Sequence, residues 1–349
     1  MKKTLFTLIF FFSLLSNVLG QTIITGQVIN QDSGEPIPDV NVFLSQTTLG
    51  ATTDENGVFT IEGIPNGIYN LVFSFIGFKT EVKRVQFFTP DSLSYKVTLH
   101  PVDIKMGGIL VTAERDYEWL ENLELFKQQF IGTSENAEKT VIKNPEILNF
   151  GWNEDDMFTA SANQELHIVN NALGYEIFLV LKKFNYTPST HQYSDFILYI
   201  TYPRFKKMKP LNEGQKKMWI ENRKETYEGS QRHFMQALYH NNTGDEYFNI
   251  ENGSIDKIEK KEKEYLLRLK LLSQAYKNRL KGFQYSIYKD RIVIQYRQDE
   301  TSFLYPVKQN IFFIDEYGNV LNPESIFVGG KWHNDRIADA LPINYSPSE

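Results

Sequence analysis

The chain has 349 residues, 41% hydrophobic and 14% aromatic, which supplies more apolar material than one small core needs and predicts two domains. Its 43 acidic residues outnumber 37 basic ones for a net charge of −6, which excludes the basic face that a nucleic-acid partner requires. It contains no cysteine, so disulfides and the thiol anchor of a bacterial lipoprotein are both excluded.

The N-terminus begins with Lys2 and Lys3 and runs from Leu5 to Leu15 with only Thr7 and Ser13 interrupting the apolar residues. A basic start, a short apolar run and the small residue Gly20 predict a secretory signal peptide over residues 1–20, with the mature protein beginning near Gln21. Its removal takes the net charge from −6 to −8, because Lys2 and Lys3 are its only charged residues. No later segment approaches the roughly 18 uninterrupted apolar residues of a membrane helix, so no transmembrane segment is expected after cleavage.

Residues 22–99 read as short strands. Tyr69, Leu71, Phe73 and Phe75 alternate with polar neighbours, as do Leu93, Tyr95, Val97 and Leu99; Val40, Val42 and Leu44 form a third row and Val58 to Ile61 a fourth. Period-two alternation of this kind predicts strands with one buried face. Turn chemistry at Asp32-Ser33-Gly34, Asp54-Glu55-Asn56-Gly57 and Pro65-Asn66-Gly67 separates them and points to an antiparallel sandwich. Asp91-Ser92-Leu93 at one turn resembles an O-glycosylation sequon of exported Bacteroidota proteins.

The strings Ile24-Thr25-Gly26-Gln27-Val28, Gly34-Glu35-Pro36-Ile37-Pro38-Asp39-Val40-Asn41-Val42, Thr53-Asp54-Glu55-Asn56-Gly57-Val58-Phe59 and Gly67-Ile68-Tyr69 occur in this order. Together they resemble the carboxypeptidase regulatory-like domain of Bacteroidota envelope proteins. The resemblance implies a transthyretin-like, seven-stranded β-sandwich, and it implies no activity.

Two proteins in which such a domain is found can be tested on the residues. A metallocarboxypeptidase needs a histidine and a glutamate three apart plus a distant histidine to hold zinc. His100, His167, His191, His233, His240 and His333 are followed three residues later by Asp103, Asn170, Ser194, Gln236, Thr243 and Arg336, so only His100 and Asp103 even supply a carboxylate. The stretch from Leu99-His100-Pro101-Val102-Asp103 through Gly108-Ile109-Leu110-Val111-Thr112-Ala113 resembles the linker of TonB-dependent receptors. A barrel of about 22 strands of about ten residues would consume most of the remaining chain, and the helical stretches that follow do not alternate as barrel strands do.

After a linker over residues 100–114, the period changes. Trp119, Leu123, Phe126 and Phe130 form one apolar stripe of a helix that Gly132 can end. Glu118, Glu121 and Glu124 around it argue for packing on a core over lying on an anionic membrane. Leu166–Val169, Tyr175–Leu181 and Phe196–Tyr202 read as an antiparallel meander with a turn at Asn170–Gly174. Glu213–Tyr227 and a second helix capped by Ser230 and running through Asn241, with Phe234 and Leu238 on one face, form a helical pair broken at Gly229. Ile255–Leu280 fits both periods, and the expectation is helix. Ile292–Ile294 is a strand, and Ile311–Ile314 turns through Asp315–Asn319 into Val320 and Leu321 as a hairpin. Residues 115–349 therefore read as one α+β domain. Its Phe130-Ile131-Gly132, Asn144-Pro145 and Tyr227-Glu228-Gly229-Ser230 stretches are similar to the uncharacterised region that follows this sandwich in other Bacteroidota proteins.

Three groups of residues are candidate sites. Glu154, Asp155 and Asp156 beside Trp152 offer the paired acids of a glycosidase, against the reading of a solvated loop. Arg232, His233 and Tyr239 offer an anion site, against a satisfied structural histidine. Trp152, Trp219 and Trp332 offer platforms for a sugar. No nucleophile elbow, phosphate loop or dinucleotide fingerprint occurs, so no catalytic, metal or cofactor residue is assigned and no cofactor is expected. The expected fold class is mainly β: a transthyretin-like seven-stranded β-sandwich (22–99) followed by an α+β domain (115–349). The expected function is that of a non-catalytic exported envelope protein, a scaffold or interaction module. Its expected partners are outer-membrane or cell-surface proteins, a β-barrel complex among them, and its place is the periplasm or the periphery of the outer membrane or cell surface. The alternative is a hydrolase with an accessory sandwich, or a carbohydrate-binding protein, acting on glycans or peptides.

Overall fold

Strand β1 (Thr22–Asn30) shows why this sequence folds as it does: Thr22, Ile24, Gly26 and Val28 are buried while the residues between them are not. It sits centrally in a three-stranded sheet, β4 (Val58–Ile64), β1, β7 (Ser92–Leu99). A second sheet has the order β3 (Gly50–Thr52), β2 (Asn41–Leu44), β5 (Gly67–Ser74), β6 (Glu81–Phe87). A computed structural model of the chain describes residues 22–87, 92–102, 117–188, 195–258, 279–305, 307, 310–322 and 325–348. Contacts divide the chain into two units, one of residues up to Phe43 with Leu49–Val102, the other of Leu44–Thr48 with the remainder from Asp103.

The first unit is a seven-stranded sandwich. Phe59 of one sheet meets Phe73 of the other edge to face at 5.6 Å, and Ile24, Val28, Val42, Leu71 and Val97 fill the space around them. The turn before β4 is built by Asp54, whose Oδ1 accepts from the Asn56 and Val58 amides at 2.9 and 2.8 Å. Gly57 there has φ 71°, and a Cβ on it would stand 2.5 Å from the Val28 carbonyl, so no side chain fits.

Two expectations for this unit need correction. The sandwich is not wholly antiparallel, because β1 pairs β7 in parallel from Ile23–Ser92 to Asn30–Leu99. Alternation specifies which face is buried and is blind to strand direction. Phe75 lies beyond the end of β5, and Val58 points to solvent while Phe59 and Ile61 turn inward. The expected signal peptide, Asp91 of the sequon, and Asp103 with the rest of the linker lie outside the described residues.

The second unit opens with helix α1 (Tyr117–Phe126), which continues as a π-turn over Lys127–Ile131. Gly132, at φ 106°, closes it by donating its N–H to Lys127 O at 3.1 Å. The apolar stripe packs as its spacing predicts: Phe126 and Phe130 stack at 4.7 Å and both meet Phe184, at 5.0 and 5.7 Å. After a short helix α2 (Glu135–Glu138), six strands form one sheet. These are β8 (Thr140–Ile142), β9 (Leu148–Trp152), β10 (Phe158–Ala162), β11 (Leu166–Asn170), β12 (Tyr175–Thr187) and β13 (Phe196–Lys207). β12 is the spine. Its first half pairs β11, its second half pairs β10, and β13 runs along its other side, with a bulge between Leu181 and Lys183.

The helical pair follows as α3 (Glu213–Tyr227) and α4 (Gln231–His240). Asn212 caps the first by accepting from Gln215 N–H, and Ser230 caps the second by accepting from His233 N–H at 3.1 Å, which satisfies amides that a helix start leaves open. Trp219 of α3 is only 3% exposed and lies so close to Gly174, at φ 67°, that a Cβ there would fall 2.3 Å from its ring. Met218 and Ile220 stay exposed.

The remaining strands are β14 (Phe248–Glu251), β15 (Gly253–Lys257), β16 (Lys281–Ile287), β17 (Ile292–Tyr296), β18 (Glu300–Tyr305), β19 (Ile311–Ile314) and β20 (Phe327–Gly330). They form two sheets, ordered β14-β17-β18-β20 and β15-β16-β19. Phe234 and Leu238 of α4 share one core with Phe283, Tyr285, Ile292, Ile294, Phe312 and Trp332. The helix expected from Ile255 is wrong where it can be compared: Ser254–Lys257 pair with Ser286–Phe283 as a strand, and most of the helical pattern lies outside the described residues. At Ile255–Lys257 the cross-strand partner decides the strand. The hairpin at Asp315–Asn319 is present, with Leu321 N–H donating to Phe313 O at 3.0 Å and a single bridge between Ile314 and Val320.

Candidate functional site

The acids Glu154, Asp155 and Asp156 occupy the turn between β9 and β10, and all three are exposed. Asn153 organises the turn: its Oδ1 accepts from the Asp155 and Met157 amides at 3.1 and 2.8 Å, and Asp156 takes φ 53°. Glycoside hydrolysis needs two carboxyls about 5–10 Å apart on opposite sides of a bound sugar, and three successive side chains of one solvent turn do not face each other in that way. Trp152 beside them is 48% exposed. Its ring rests on Phe158 at 5.2 Å and its Nε1 donates to Asn122 Oδ1 at 3.2 Å.

The other two tryptophans are core residues, which corrects their reading as sugar platforms. Trp219 Nε1 donates to Asn171 O and Trp332 Nε1 to Gly229 O, each at 2.8 Å, and both rings are buried. A buried indole finds a carbonyl for its N–H, and its faces are then filled by neighbours.

His233, in the first turn of α4, is buried and lies at the centre of a polar cluster whose Glu246 is half-exposed. The Gly229 N–H donates to His233 Nδ1 at 3.1 Å, so the ring proton sits on Nε2, which reaches Glu246 Oε2 at 3.1 Å. Tyr227 and Phe248 enclose the ring at 4.9 Å each. Burial is the main influence on its basicity and draws it below 6.5, with Glu246 opposing. Gly229 serves both sides of the cluster, since it also accepts from Trp332. At φ 73° it has no room for a side chain, because a Cβ would lie 2.3 Å from a Glu300 oxygen. Tyr227 donates its hydroxyl to Gln236 Oε1 and is pushed up to about 12, chiefly by burial.

Arg232 turns away from His233. Its guanidinium donates to the carbonyls of Tyr317 (3.3 Å), Pro342 (2.8 Å), Ile343 (2.8 Å) and Tyr345 (3.0 Å), and so pins the C-terminal segment to α4. Four of the five N–H donors of the guanidinium are thus spent on carbonyls. Tyr239 donates to Arg279 O at 2.8 Å, well apart in its bonding from both. The structure therefore brings Tyr227, Gly229, His233 and Glu246 together and leaves Arg232 and Tyr239 in separate roles. Glu246 was not legible as a partner, because it sits in a turn between α4 and β14 with no spacing rule linking it to His233. Among the described residues no group of three or more histidines and carboxylates is placed to hold a metal ion, and no helix is long and apolar enough to cross a membrane.

The comparisons with known proteins each cover a part of the chain. A family model described as a CarboxypepD_reg-like domain matches residues 24–111. The TonB-dependent receptor P39 of Formosa agariphila is 32% identical over 89 residues, 26% of this chain and 8% of the receptor. The chain therefore spans a small fraction of that relative. Among solved structures, the pilus 2b backbone protein of group B streptococcus aligns over 24% of this chain and 42% of its own, at 16% identity and a TM-score of 0.20. The 3-chlorocatechol 1,2-dioxygenase of Rhodococcus opacus 1CP aligns over 25% and 62%, at 17% identity and a TM-score of 0.19. Scores this low assign neither fold nor activity. The fold comes from the strands described above, and the sequence match identifies residues 24–111 as a CarboxypepD_reg-like domain.

Proposed function

We propose that this chain is an exported, non-catalytic protein of the bacterial envelope, acting as a scaffold or interaction module with outer-membrane or cell-surface proteins. The observation that carries the reading is the CarboxypepD_reg-like domain at residues 24–111, shared with a TonB-dependent receptor. Two further observations support it: the acids of the Glu154–Asp156 turn lie side by side on one exposed loop, and His233 has both ring nitrogens engaged. Binding through strands and loops suits an all-β module with open sheet edges.

The test is fractionation of the native cell followed by capture of the tagged protein from mildly solubilised envelopes. Recovery in the envelope fraction together with one stoichiometric outer-membrane or surface protein is the expected result. Recovery in the cytoplasm, or turnover of an envelope glycan or peptide that Glu154→Ala and Asp155→Ala abolish, would overturn it.

A further inference from the structure

α3 and α4 are joined through Glu228, Gly229 and Ser230, and Gly229 bonds side chains with both of its backbone groups. Its N–H donates to His233 Nδ1 at 3.1 Å, and its carbonyl accepts from Trp332 Nε1 at 2.8 Å. The first bond is open only to the neutral ring, because a protonated Nδ1 would turn donor against donor. Neither N–H could then be satisfied while the ring stays buried, so protonation and the closed joint exclude each other. The residue before His233 on the same helical turn is Arg232, which clamps the carbonyls of Pro342, Ile343 and Tyr345. One turn of α4 therefore carries a titratable ring and the clamp on one end of the C-terminal segment. The other end of that segment is tied through Trp332 to the glycine that the ring holds. Its middle is anchored elsewhere: Arg336 donates to Gln129 O at 3.1 Å, Asn170 to Ala338 O at 2.8 Å, and Ser134 to Asp339 at 2.9 Å.

We propose that the first turn of α4 is a proton-operated catch: protonation of His233 at Nδ1 breaks its bond from Gly229, opens the joint, and frees both ends of the C-terminal segment, at Trp332 and at Pro342–Tyr345. The groups facing His233 decide where this happens. Tyr227 of α3 and Tyr296 of β17 lie against the ring at 4.9 and 5.7 Å. Glu246, in the turn after α4, takes Nε2 at 3.1 Å and would hold a charged ring more strongly. Glu228 in the joint also favours the charged ring, but its carboxylate is shared with Arg297 at 3.1 Å and Lys224 at 3.8 Å, and Arg297 opposes. Burial outweighs these and keeps the closed form neutral to below 6.5. A joint opened to water removes that burial, so acid favours the open form. Two groups of the segment itself titrate nearby. Asp335, raised to about 6 by burial, takes up its proton in the closed form and so opposes opening in acid; His333, drawn below 6.5 by burial and Arg336, acts in the same sense as His233. Nothing in the catch depends on where in the cell the chain acts.

The experiment is amide exchange of the full chain between about pH 7.5 and about pH 5, expressed as protection so that the intrinsic effect of pH on exchange is removed. Protection at Gly229, Asp335, Ile343 and Tyr345 is expected to fall by at least about threefold, within the ceiling of about tenfold per pH unit that uptake of one proton allows. Asp339, Ala340 and the amides of β12 are expected to keep theirs. His233→Asn retains an oxygen acceptor on the Nδ1 side and takes up no proton, so it is expected to abolish the fall. Glu246→Gln keeps a partner for Nε2 and removes its charge, so it is expected to move the fall to lower pH, a readout that stands even where His233→Asn does not fold. Unchanged protection at the joint overturns the proposal, as does a loss shared equally by β12, which is global unfolding. A fall that persists in His233→Asn belongs to His333 and overturns it too, as does a Glu246→Gln variant whose fall stays in place or moves to higher pH.

Discussion

Gly174→Ala tests the packing of α3 on the six-stranded sheet more directly than any truncation. Gly174 ends the turn between β11 and β12 at φ 67°, where an alanine costs about 1 kcal/mol for the left-handed backbone alone. The added methyl would also stand 2.3, 2.5 and 2.7 Å from three atoms of the Trp219 ring. That ring is buried and held by its bond to Asn171 O, so the clash must be relieved by moving α3 or the turn, an overpacking cost of about 1–3 kcal/mol. The expected loss is about 2–4 kcal/mol, read as a lower urea midpoint at unchanged slope. A double-mutant cycle separates the two contributions. In a Trp219→Leu background the same substitution is expected to cost only the backbone part of about 1 kcal/mol. An equal loss in both backgrounds, or a loss below about 1 kcal/mol in the parent, would refute the close approach as the reason for glycine here.

Burial raises Asp335 from 3.8 to about 6, with Lys331 opposing; the folded chain thus holds this proton where the unfolded chain releases it, so stability falls as pH rises from about 4 to 6. Asp335→Asn is therefore expected to gain about 1–2 kcal/mol at pH 7, allowing for partial exposure, and to lose that advantage near pH 4, as seen in melting curves at the two pH values. His233 has the opposite sign. Its folded form resists protonation, so its contribution is complete above pH 6.5 and lost on acidification, and His233→Gln is expected to flatten the dependence of unfolding free energy on pH between 7 and 5. Arg297 and Gln298 both take positive φ, 49° and 68°, in the turn closed by Asp299 N–H to Tyr296 O at 3.2 Å. Gln298→Gly is expected to stabilise the chain by about 0.5–1 kcal/mol by relieving the left-handed strain; a lower denaturation midpoint would contradict that.

Local patterns were legible wherever one face of an element meets a core. The four-three-four spacing of Trp119, Leu123, Phe126 and Phe130 specified the first helix and its glycine stop. Ser230 marked a helix start, because its side chain satisfies an amide three residues away. Alternation in the strands likewise named the inward residues of the sandwich, and the ordered strings of residues 24–69 identified its family before any coordinate. Each of these depends on interactions within a few residues, which the sequence carries in full. Tertiary structure decided what depends on distant partners. The parallel pairing of β1 with β7, the strand at Ile255 where a helix also fitted, the burial of Trp219 and Trp332, and the choice of Glu246 for His233 all come from contacts between residues far apart in sequence or on separate elements. The same holds for Phe196, Leu198 and Ile200 on β13, which are exposed. They read as strand from composition alone, yet whether they face a core or solvent depends on which strands lie beside them.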